Sequence, residues 1–174
     1  MNSRSIGTAL ALAGALAAFG ACSKGPVTPA EHLTAADTAR DGGDHQAALD
    51  LYKAVSDWKG EGTVSDGDKF RADLESVKCQ VALGQAKEAV DTYKSMFDSH
   101  SGELGGKGGY KHTLAVLSSL VDKKADPMVS IDLLGVAAEK HPAQKENFGK
   151  LVEKLQKQGL SSEAMAKLGE LGYL

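Results

Sequence analysis

The feature that most constrains this chain is a recurrence. Aligning Gly43 with Gly84, Ala125 and Gly159 sets intervals of 41, 41 and 34 residues. Five positions beyond each lie Ala48, Ala89, Ser130 and Ala164, all small, and nine beyond lie Tyr52, Tyr93, Leu134 and Leu168, all large. Six beyond lie Leu49, Val90, Ile131 and Met165, all apolar. Residues four apart share one face of an α-helix. The small side chain admits a neighbouring helix closely, and the large one a turn later fills the space beside it. A chain that repeats this pair is expected to be all-α and to build helix pairs of similar design.

The pattern resembles the tetratricopeptide repeat, a helix–turn–helix unit of 34 residues with a small residue and an aromatic at these places of its second helix. Gly43-Asp44, Ala48 and Tyr52 carry the likeness, as do Gly84, Ala89 and Tyr93. Asp126-Pro127 to His141-Pro142 has the right length and ends on the proline the family expects, while the last copy offers Phe148 and Leu151 in its first helix. Two intervals exceed 34 by seven, and the extra residues fall in 58–68 and 99–109, read as longer turns between repeats. The first-helix positions that are small in the family are Ala36, Val77, Ser118 and Val152, and the two valines are bulkier than the pattern asks. The likeness covers residues 29–174 and implies an α-solenoid of about four degenerate repeats and eight helices. An antiparallel helical bundle of ordinary kind is the alternative.

Local signals divide the chain accordingly. Thr28-Pro29-Ala30-Glu31 reads as a helix start with a capping box, and Gly42-Gly43 as a break followed by the cap Asp44. Ser65 or Asp66, Asp126 and Ser161 are further helix starts, and Gly84 and Gly159 are stops. Residues 99–109 hold five glycines in eleven positions and are expected to be the most flexible internal segment. Trp58 closes the second helix beside a glycine-containing loop; it either covers the end of the repeat or, if exposed, anchors a partner.

Residues 1–21 read as a targeting segment: Arg4, then an uncharged apolar run from Ile6 to Phe19, too short to span a bilayer of ~20 helical residues. Gly20-Ala21-Cys22 resembles the lipobox of bacterial lipoproteins, with Phe19 where that family prefers leucine. The resemblance implies cleavage before Cys22, lipidation of its thiol, and attachment by acyl chains such as palmitate. Two or more such chains, at ~0.8 kcal/mol per buried methylene, hold a protein firmly to a membrane. Residues 22–27 would then be a short tether and 28–174 the helical domain, facing the periplasm from the outer membrane, as Ser23 after the cysteine suggests for enteric lipoproteins. An ordinary secretory peptide is the alternative.

Chemistry-bearing motifs are sparse. A formal charge of −3 gives no basic excess for nucleic acid. Gly106-Lys107 lacks both the leading glycine and the following Ser/Thr of a phosphate loop. The five histidines, His32, His45, His100, His112 and His141, show no metal-ligand spacing and read as surface or helix-end residues. Cys79, between Val77 and Val81, reads as a buried core residue with no partner for a disulfide once Cys22 is lipidated. No catalytic residue, metal or cofactor is expected.

The tetratricopeptide likeness places a partner-binding surface on the first helix of each repeat. By family position it comprises Asp37, Arg40, Arg71, Leu74, Lys78, Val81, Ser119, Asp122 and Glu153. The expected function is a lipid-anchored adaptor or scaffold that binds another envelope protein or peptide. The alternatives are a small periplasmic helical enzyme and a self-assembling structural component of the envelope.

Overall fold

The computed structural model describes residues 27–174. The signal segment, Cys22 and all but the last residue of the tether lie outside these residues. Within them the chain is all-helical: α1 (Pro29–Asp41), α2 (His45–Ser56), α3 (Asp66–Ala82), α4 (Ala86–Ser99), α5 (Ser101–Gly105), α6 (Gly109–Asp122), α7 (Pro127–Lys140), α8 (Lys145–Lys157) and α9 (Ser162–Glu170), with a 3-10 turn at Pro142–Gln144.

Side chains named by the sequence start these helices. Thr28 Oγ1 accepts from the Glu31 amide at 3.2 Å, and the Glu31 carboxylate accepts from the Thr28 amide at 3.1 Å, closing a capping box. Asp44, Ser65, Asp126 and Ser161 each accept from an amide in the first turn of α2, α3, α7 and α9.

Nine helices stand among the described residues where eight were expected. The addition is α5, inside the segment read from its glycines as the most flexible. Leu104 is fully buried and pins it. Gly109 packs so close that a Cβ there would lie 1.8 Å from the Leu104 carbonyl oxygen. At this position glycine serves close approach of two backbone segments rather than slack.

The turn between α6 and α7 differs from the others by one position. The left-handed residue after the first helix is Gly43 (φ 83°), Gly84 (φ 77°) and Gly159 (φ 83°), but in the third copy it is Lys124 (φ 53°), not the aligned Ala125. The amide of Lys124 bonds to the Val121 carbonyl and that of Ala125 to the Leu120 carbonyl, the paired bonds of a Schellman turn. The same pair closes α1 and α3. A lysine forced into this conformation costs roughly 1–2 kcal/mol relative to a right-handed residue. Lys124→Gly is therefore expected to stabilise the protein by about 1 kcal/mol, checked as a rise in the urea midpoint at unchanged slope.

The recurrent positions carry the packing. Ala48, Ala89, Ser130, Ala164, Tyr52, Tyr93, Leu134 and Leu168 are all buried. Leu49, Val90 and Ile131 are buried as well, while Met165, in the last helix, is 37% exposed. α1 packs on α2, α2 on α3 and α3 on α4; farther along, α3 packs on α6, α6 on α8, α4 on α7 and α7 on α9. Two apolar clusters result. One joins Leu33, Ala36, Leu49, Tyr52 and Val55 to Ala72 and Cys79 of α3. The other begins on α3 with Leu74, Val77 and Val81 and runs on through α9. α3 is the partition between them. Cys79 is a buried free thiol, as its neighbours in the sequence suggested.

Trp58 is half-buried. Its indole N–H donates to the Glu61 carbonyl at 3.3 Å, and its ring meets His32 of α1 edge-on at 5.3 Å. Gly60 lies beneath the indole, where a Cβ would approach the ring to 2.7 Å. The tryptophan covers the start of the first hairpin.

Candidate functional site

Four of the charged residues assigned to the first-helix surface meet in one network. α1 supplies Asp37 and Arg40, α2 supplies Tyr52, and α3 supplies Arg71, Glu75 and Lys78. The Tyr52 hydroxyl donates to Asp37 Oδ1 at 2.6 Å. Arg40 Nη1 donates to the Tyr52 oxygen and to Glu75 Oε2, each at 3.0 Å. Arg71 pairs with the other Asp37 oxygen, and Lys78 Nζ donates to Glu75 Oε1 at 2.6 Å. The spacing makes this possible: Asp37 faces Arg71 and Arg40 faces Glu75, so α1 and α3 run parallel, with α2 returning between them.

Burial pushes the Asp37 carboxyl up, but the Tyr52 hydroxyl and the Arg71 and Arg40 guanidiniums outweigh it and hold the group below the ordinary carboxylate range. Burial and the Asp37 carboxylate push the Tyr52 phenol well above its ordinary value. The first shift holds Asp37 as a carboxylate and the second keeps Tyr52 as the neutral hydroxyl that donates to it, so the cluster presents fixed charge rather than a proton ready to move. Half-exposed pairs of this kind contribute about 0–1 kcal/mol each. Their effect here is to lock the first hairpin onto α3 in one register.

The remaining members separate. Leu74 and Val81 are buried core residues of α3. Ser119 and Asp122 on α6 and Glu153 on α8 are exposed. Asp122 accepts from Lys154 at 3.1 Å, and the Ser119 hydroxyl turns back to the Ala115 carbonyl at 3.0 Å. Cys22 lies outside the described residues. Sequence reasoning missed Tyr52 and Glu75 as members of the network. Tyrosine rather than phenylalanine at the large position, and Glu75 four after Arg71 and three before Lys78, were the available signals.

Two of the histidines read as surface or helix-end residues stand at helix ends and not at the surface. His100 and His141 end α4 and α7 and are both buried. They are 41 residues apart, the interval that separates Gly43 from Gly84. Each ties the end of a second helix to the first helix of its pair, at mid-α3 and near the start of α6: His100 Nε2 lies 2.7 Å from Asp73 Oδ2, and His141 Nε2 lies 3.2 Å from Thr113 Oγ1. Thr113 Oγ1 is in turn 3.0 Å from the buried Tyr93 hydroxyl, whose pKa burial raises to about 12.

Burial also depresses His141 below 6.5, and burial followed by the nearby Lys78 charge depresses His112. Between the depressed folded value and 6.5 the unfolded chain binds more protons than the native one, so stability rises with pH through that window. The contribution is whole above about pH 6.5 and is lost as the pH falls below it. The melting temperature is thus expected to drop between about pH 7.5 and pH 5.5, with a smaller drop in His141→Asn, followed by scanning calorimetry. Equal slopes in the two proteins would remove His141 from the account.

Among the described residues, no three His, Cys, Asp or Glu side chains gather as a metal site. None of the described helices is long and apolar enough to cross a membrane. Comparison of the chain with protein-family models, curated proteins and solved structures returned no match. What the fold and this site define is a class: an all-helical protein whose first three helices are cross-linked by a polar, ion-paired face.

Proposed function

We propose that the protein is a non-catalytic adaptor, a tetratricopeptide-like stack of hairpins that holds a partner protein at a bacterial envelope membrane. The observation that carries this reading is the succession of neighbours. First helices meet across repeats as α3 on α6 and α6 on α8, and second helices as α4 on α7 and α7 on α9, with the small and large positions buried at each step. Hairpins nested in this order make an extended surface from successive first helices. On the first helices that follow α3, Ser119, Asp122 and Glu153 are exposed and are the further contact positions of this reading. The lipid on Cys22 would confine the chain to the membrane and raise the effective concentration of a partner held there.

Photo-cross-linking tests the surface and fractionation tests the anchor. A photoreactive residue at Ser119 or Glu153, in the full chain expressed in a bacterial host, is expected to give a discrete adduct that one at exposed Lys53 on α2 does not. Cys22→Ser is expected to move the protein from the membrane to the soluble fraction. Adducts equally frequent from all three positions would remove the surface, and a membrane fraction unchanged by Cys22→Ser would remove the anchor.

A further inference from the structure

The turns α3–α4, α6–α7 and α8–α9 share one edge of the molecule, because the same clefts are lined by adjacent turns. The chain enters the fold at Val27, at the far end of α1, which runs parallel to α3. Between the first two of these turns lies an open cleft of about 550 Å3. Its floor is apolar, with half-buried Val129 beside the buried Val81 and Leu120, and its rim carries Lys87, Lys123 and Lys124. Two further clefts continue past Lys124 and add Lys157 and Lys154.

Across the three clefts the lining holds five lysines and three carboxylates, Glu88, Asp122 and Asp126. Asp126 accepts from the Met128 amide at 2.9 Å as the cap of α7, and Asp122 is paired with Lys154 at 3.1 Å. Lys87, Lys123, Lys124 and Lys157 have no ion-pair partner among the described residues, and Glu88 is the one rim carboxylate without an engagement there. A chain of formal charge −3 thus presents a locally basic edge. Lys124 is also the strained residue. Its counterparts at the other turns are glycines, so turn geometry favours glycine, yet here a lysine stands where all three clefts meet. Backbone strain of this kind collects at ligand-binding places.

We propose that this edge seats an acidic polypeptide segment, with one apolar side chain on the Val81–Leu120–Val129 floor and flanking carboxylates against Lys87, Lys123 and Lys124. The proposal rests on the adaptor reading and gives the partner a chemistry and a docking edge distinct from the first-helix face. The cleft is concave, about 550 Å3, and carries carboxylates as well as lysines on its rim, which suits a peptide better than a flat lipid surface. It also lies on the edge away from the point where the chain would leave the membrane.

The test is fluorescence anisotropy of a labelled peptide, Glu-Glu-Leu-Glu-Glu, titrated with the purified full chain. A version with glycine for leucine and vesicles of phosphatidylglycerol serve as competitors. Saturable binding is expected that weakens as salt rises from about 50 mM to about 500 mM. Lys123→Ala with Lys124→Gly is expected to weaken it about tenfold, while circular dichroism stays helical. Because Lys124→Gly alone should stabilise the fold, lost binding in that variant cannot be ascribed to unfolding. Unaltered affinity in the double variant, equal binding of the glycine peptide, or displacement by vesicles in preference to the glycine peptide would each overturn the proposal. Adducts from Ser119 or Glu153 without peptide binding would leave the adaptor reading standing and remove this edge alone.

Discussion

Gly109→Ala is expected to destabilise the protein by about 3 kcal/mol, whereas Gly105→Ala, in the same glycine-rich segment, is expected to change stability by less than about 0.5 kcal/mol. The two positions differ in what surrounds them. A Cβ at Gly105 meets nothing within 4 Å, while one at Gly109 would sit 1.8 Å from the carbonyl oxygen of Leu104. That neighbour is backbone, so no rotamer change can relieve the clash. Either α6 must begin elsewhere or Leu104, now fully buried, must leave the core. Urea unfolding of the two variants measures the difference. Equal costs would mean that the segment is as loose as its composition suggests, and α5 would lose its structural basis.

This segment shows where the sequence was legible and where it was not. Helix starts could be read because a cap is local: Thr28, Asp44, Asp126 and Ser161 act on amides within their own first turn. The buried small and large positions could be read because periodicity reports a face. Glycine density was misleading, since glycine marks both freedom and close approach, and only the partner backbone tells them apart. The charged row was half legible. Family position brought Asp37, Arg40, Arg71 and Lys78 to one side of the molecule, but their partners Tyr52 and Glu75 depend on how far α1 slides along α3. Leu74 and Val81 were assigned to a surface because the pattern assumes one exposed side on every first helix. α3 has apolar neighbours on both sides, the first hairpin on one and the rest of the molecule on the other. For His100 and His141 the helix-end place was legible but the burial was not, because a lone histidine carries no signal of it, although their 41-residue separation did.

The second large effect concerns one recurrent position in two contexts. Ile131→Ala is expected to cost about 3 kcal/mol, and Met165→Ala, at the same place in the next copy, about 0.5 kcal/mol or less. Ile131 is fully buried on α7, a helix packed against α4, α6 and α9. Removing its side chain loses the transfer energy of three carbons and leaves a cavity that the surrounding helices fill only in part. Met165 lies on α9, whose chief helical neighbour is α7, and its side chain is partly in water before any substitution. If the copies are equivalent in build, the cost of truncation at this position must follow the number of helices around it and not the identity of the residue. Denaturation of both variants at low and high protein concentration decides the matter. A Met165→Ala cost that is large and grows with concentration would mean that a second copy covers α9 in solution. A large cost independent of concentration would mean that α9 is held as an interior helix is, and the link between the exposed methionine and the few neighbours of α9 would fall.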